Sequence, residues 1–146
     1  MKNHSEWIKA IRTAWLADAT FAAMLGGPTE IWRHGQSFEP KYPSITIRIS
    51  RFGPVDLDRG PGKFRPSIEV NVFSVSPYDA EDIANYMSEN FQIPTKVPAG
   101  ISTTNWRIDE LICGELMEGG VVRQLDDRTQ VHQFISDWQA LVIQKP

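Results

Sequence analysis

The sequence predicts an α+β domain: a mostly antiparallel sheet of about five strands, two main helices packed on one face, and a long hairpin loop that protrudes. Three observations predict it. Ser44-Ile45-Thr46-Ile47-Arg48-Ile49-Ser50 alternates strictly between apolar and polar residues, the period of a half-buried strand. Ile8, Ile11 and Trp15, and again Ile83, Met87 and Phe91, recur at helical spacing. The elements run helix, strands, helix, strands, with hairpin-type links between strands, so the helices gather on the sheet instead of alternating with its strands.

The first helix is expected to start at Ser5 as its N-cap. Asp18 caps a second short turn, Ala19 to Leu25, which Gly26-Gly27-Pro28 ends; one bent helix over 6–25 is the alternative. A short strand follows at Glu30 to Arg33, and a loop from Gly35 to Pro43 leads into the alternating strand. Phe52 to Pro66 is rich in glycine, proline and charge and cannot bury itself, so it reads as a protruding hairpin arm. The return strand is Ser67 to Val75, with Ile68, Val70 and Val72 on the core face. Ser76-Pro77-Tyr78-Asp79 starts a helix: Ser76 caps it, Pro77 takes the first position, and the helix stops before Pro94. After a loop from Pro94 to Asn105, a β meander begins at Trp106. A turn is expected at Glu118-Gly119-Gly120 and another at Asp126-Asp127-Arg128, and a long strand from Thr129 to Ile143 closes the chain.

At 146 residues the chain suits one domain, 1–146, with a core that needs no disulfide. No apolar run reaches the ~20 residues of a membrane helix, and the first residues lack the apolar stretch of a secretion signal, so cytoplasmic synthesis is the expectation. A net charge of -3 argues against general nucleic-acid binding, which wants a basic face, and no sequence-specific nucleic-acid partner is expected. Cys113 is the single cysteine, and its run Leu111-Ile112-Cys113 makes it a small buried hydrophobe. Five tryptophans exceed what one small core needs, which hints at a protein-binding surface.

Residue patterns for chemistry are sparse. His4, His34 and His132 show no metal-binding spacing. There is no Gly-x-Ser-x-Gly elbow, and Gly60-Pro61-Gly62-Lys63 lacks both the full phosphate-loop pattern and a following helix. The acidic pairs Asp56/Asp58 and Asp126/Asp127 lie in turn-like segments, where solvated turn residues are the plainer reading and catalytic carboxylates would need burial. No catalytic, cofactor-binding or metal residue is therefore assigned. The 52–66 segment has a different character: Arg51, Arg59, Lys63 and Arg65 interleave with Asp56, Asp58, Phe52 and Phe64. Mixed charges can set register between subunits and phenylalanines can anchor them, against the plainer reading of a solubilising loop. With Trp32, Phe38 and Tyr42 these residues form the candidate oligomer or partner interface.

Across nearly its full length the chain resembles the tail terminator, or tail completion, proteins of long-tailed phages and prophages. The resemblance rests on the opening helix from Ala10, Asp18 and the second turn ending in Gly26-Gly27. It continues through Ile31-Trp32, Tyr42-Pro43, Ser44 to Ser50, the charged loop, Ile68 to Val75, Ser76 to Phe91 and the closing strand Val131 to Ile143. The stretch Pro94 to Thr104 departs from that pattern. The resemblance implies a non-enzymatic virion protein without cofactors. It would form a ring, usually a hexamer, on the head-proximal end of the tail tube. Its partners would be copies of itself, the major tail tube protein and the head-tail connector proteins, with DNA free to pass through the ring channel. Another neck or connector protein is the alternative within the same particle. A small ligand-binding or hydrolytic α+β domain is the alternative from another class.

Overall fold

A computed structural model describes residues 4–27, 31–33, 40–51 and 62–146, with the side chains of Trp32 and Arg33 left aside. Among these residues lie helices α1 (Ser5–Leu16), α2 (Ala19–Met24) and α3 (Pro77–Asn90). The strands are β1 (Ile31–Arg33), β2 (Ser44–Arg51), β3 (Lys63–Phe64), β4 (Ser67–Ser74), β5 (Ile101–Ser102), β6 (Trp106–Gln124) and β7 (Gln130–Gln144). They form one sheet in the order β1-β2-β4-β7-β6-β5, with β3 also on β7. Every pairing is antiparallel except β1 with β2. The α+β class and the mostly antiparallel sheet match expectation. Four long strands carry the sheet and three short ones patch its edges.

The helices sit on one face through an aromatic node. Trp15 of α1 stacks on Phe91 at the end of α3, 5.5 Å between ring centres, and meets Trp138 of β7 at 5.8 Å. Trp7, Trp15, Trp106 and Trp138 are all buried. The expectation that surplus tryptophan marks an external surface is therefore corrected for these four: a thin α-over-β core uses large flat rings to fill the gap between layers. Arg12 ties α1 to the sheet edge by donating from Nε to the Ile31 carbonyl at 2.7 Å. Glu6 accepts from both the backbone and the side chain of Asn105, at 3.2 and 2.9 Å, and so holds α1 beside the start of β6.

Asp18 caps α2 as read, accepting from Phe21 N at 3.0 Å, and also accepts from the Tyr86 hydroxyl of α3 at 2.9 Å. That hydrogen bond to a carboxylate raises the Tyr86 pKa above the usual phenol value. Ser76 caps α3, with Asp79 N donating to its Oγ at 3.4 Å and Pro77 in the first position. The start of α1 differs from expectation. Ser5 is the first helical residue and His4 precedes it without a side-chain cap; the His4 ring instead accepts from Trp7 Nε1 at 3.0 Å.

Three further expectations change. Lys63–Phe64 is not loop but strand, paired with Val142 and Ile143 of β7. The Pro94 to Asn105 loop contains β5, paired with Arg107 and Ile108. Gly119-Gly120 makes no turn: β6 runs straight through it for 19 residues. The pair instead absorbs a register shift against β7 between Glu118 and Gly120. Gly120 takes φ +75, which a side chain resists, and a Cβ on Gly119 would lie 2.5 Å from Gln133 Oε1. The true reversal is at Asp126, whose carboxylate accepts from the backbone of Arg128 and Thr129, both at 2.8 Å. Those bonds hold its pKa below the usual carboxylate value.

Asp18→Ala removes both the α2 cap and the acceptor for Tyr86, and lowers stability by about 1–2 kcal/mol in urea denaturation. Combined with Tyr86→Phe it costs less than the sum of the two single changes, because the variants share one interaction.

Candidate functional site

The length of β6 creates the most unusual surface. Its first half is built into the body: Trp106, Ile108 and Leu111 are buried, Ile93 pairs with Leu111, and Cys113 N donates to Gln92 Oε1 at 3.3 Å. Beyond Cys113, every residue from Gly114 to Gln124 is exposed. One side of this stretch pairs with β7; among the described residues no strand pairs with the other. Ile112, Leu116, Met117, Val121, Val122 and Leu125 stand 37% to 50% exposed along it and its tip. Antiparallel partners share a face. Leu116 opposite Ser136 and Val121 opposite His132 therefore lie on the helix side, whereas Ile112 opposite Gln139 and Met117 opposite Ile135 lie on the other. The stretch shows apolar groups on both faces, with Glu115, Glu118 and Arg123 between them. Single exposed apolar residues are ordinary; a connected band on an edge strand marks a contact surface. At its far end, next to the Ser74–His132–Val121 row, Val75 and Tyr78 extend the exposed apolar area; Tyr78 is 76% exposed.

A second feature lies where β2 ends and β4 begins, against the middle of β7 and β6. Arg51, Ser67, Gln139 and Ile112 form one row across β2, β4, β7 and β6. A groove of about 440 Å³ follows it, with Asp137 also in its wall.

The residues proposed from sequence as an interface divide into three groups. Phe38, Phe52, Asp56, Asp58 and Arg59 lie outside the described residues, as does the side chain of Trp32. Lys63, Phe64 and Arg65 are held within the subunit. Lys63 is paired in β3; the Phe64 ring lies 5.5 Å from His4 and 6.1 Å from Trp106; Arg65 meets Glu110 at 3.3 Å. Phe64 thus packs against its own core and stays only partly exposed. Arg51 and Tyr42 do reach the surfaces just described: Arg51 lines the groove, and the Tyr42 hydroxyl accepts from Arg123 of β6 at 3.5 Å. The turn expected at Gly119-Gly120 hides the exposed band on β6 from the sequence. A signal was present: a final strand of some 15 residues needs a partner of similar length, which two short meander strands cannot supply.

No group of three or more His, Cys, Asp or Glu side chains among the described residues could hold a metal ion, and no helix there is long and apolar enough to cross a membrane. Cys113 is half-buried, and burial, followed by the charge of Asp137, pushes its thiol up to about 11.

No protein-family model matches this chain, and no curated protein sequence matches it. Among solved structures, a chain from the "Virion of native gene transfer agent (GTA) particle" superposes with a TM-score of 0.63 at 13% identity, covering 92% of each chain. The two chains share a fold. A second solved chain covers 86% of this one at 13% identity with a TM-score of 0.43, too low to argue from.

Cys113 stays a neutral thiol at pH 8, so an aromatic disulfide reagent labels the native chain at least about a hundredfold more slowly than the urea-unfolded chain. Equal rates would contradict the burial described.

Proposed function

We propose that the chain is a structural subunit of a tailed-phage-like particle, and specifically a ring-forming tail terminator without catalytic activity. In this reading about six copies close a ring on the head-proximal end of the tail tube, stop its growth and offer a surface to the head connector. The observation that carries the reading is the end-to-end fold likeness to a gene transfer agent virion chain. The exposed band of β6 supports it physically. A monomer has no reason to keep six apolar side chains in water along an edge strand and its tip, whereas a subunit that is covered on assembly has one. A ring needs a surface whose partner is a different surface of the next copy, and the far half of β6 with its tip, and the groove across the sheet at Arg51, supply two such surfaces. The sequence resemblance to tail terminators adds the position in the particle: tail tube protein on one side and connector on the other.

Light scattering after size exclusion, with electron microscopy of tail tubes grown with and without the chain, tests this. The expected result is a closed ring, free or on tube ends, and tubes of limited length. A chain that stays monomeric and leaves tube length unchanged rejects the reading. Leu116→Lys with Val121→Lys retains the subunit's circular dichroism and abolishes ring formation, because both positions are already solvated in the free subunit.

A further inference from the structure

We infer that the β6–β7 hairpin tip of one copy docks in the groove across the sheet of the next copy. The inference rests on the ring reading above and names its contact.

The tip consists of Leu125, Asp126, Asp127 and Arg128, all exposed. Asp126 turns its carboxylate back onto the Arg128 and Thr129 amides and makes the turn rigid. Three side chains remain to meet a partner: one apolar, one anionic and one cationic. The groove presents the counterparts, with Ile112 as an exposed apolar wall, Arg51 as the cation and Asp137 as the anion. Leu125 meets Ile112, Asp127 meets Arg51, and Arg128 meets Asp137. Such alternation also sets orientation, because a reversed approach places like charges together.

Geometry makes this contact one between copies. Thirteen residues separate Leu125 from Ile112 along one strand, roughly 40 Å at the usual strand rise. The tip cannot reach its own groove. Tip and groove are different surfaces set well apart along β6, so the contact is head-to-tail and repeats around a ring.

Direct pairing of two β6 edges about a two-fold axis is the competing use of the same strand. Four register shifts interrupt β6 against β7, between Ile108 and Glu110, Cys113 and Leu116, Glu118 and Gly120, and Val121 and Arg123. Bulges of this kind twist an edge and spoil the even row of amides and carbonyls that another strand would need. Side-chain docking tolerates them.

Two experiments decide it. In the first, the chain carries Leu125→Cys, Ile112→Cys and Cys113→Ala and is oxidised at assembly concentration. The expected product is a ladder of covalent oligomers ending in a closed species. Products that stop at a dimer reveal two-fold edge pairing and overturn the inference, and so does the absence of any cross-link. In the second, Asp127→Lys and Arg51→Glu are compared by sedimentation velocity. Each alone raises the concentration needed for assembly about tenfold or more, and together in one chain they return it close to the unmodified value. Rings that tolerate each single reversal overturn the contact while the ring reading stands. An unmodified chain that is monomeric at every concentration, forms no cross-link and leaves tail-tube length unchanged overturns both.

Discussion

The helices are too short for the strand on which they pack. β6 has 19 residues, about 60 Å at the usual strand rise, whereas the 14 residues of α3 span about 21 Å as a helix. Twist and bulges shorten the strand but do not close that gap. The helical layer covers the half of β6 that holds Trp106, Ile108 and Leu111, and the other half is bare on both faces. The division between a folded body and a bare apolar stretch of β6 follows from this mismatch in length.

β7 connects the two regions. It pairs with β4 on one edge and β6 on the other, and Trp138 near its middle joins the ring cluster under α1 and α3. The indole N–H of Trp138 donates to Ser136 Oγ at 2.9 Å, which satisfies the polar atom of a fully buried ring. The same architecture limits misassociation. Glu115, Glu118 and Arg123 interrupt the apolar band, and the bulges disturb its outer edge, so a strand that must be exposed before assembly is a poor template for indiscriminate pairing.

Much of the body was legible from local chemistry. The alternation of Ser44 to Ser50, the caps at Asp18 and Ser76 and the turn at Asp126 all act over a few residues, and each stands where the pattern put it. The assembly surface was not legible, for two reasons. Gly119-Gly120 carries the same local signal whether it turns the chain or forms a bulge, and only the length of β7 distinguishes the two. Tryptophan and phenylalanine serve a core and an interface equally well, so Phe64 and four tryptophans looked available for partners until the layer spacing claimed them.

The central claim is that the far half of β6 is bare only in the isolated subunit and is covered in the assembled particle. Hydrogen exchange read amide by amide in the free chain and in the assembled ring tests it most directly. The account predicts that amides between Gly114 and Leu125 that point away from β7 exchange fast in the free chain and slow markedly on assembly. Unchanged exchange there, with new protection confined to other parts of the surface, would contradict it.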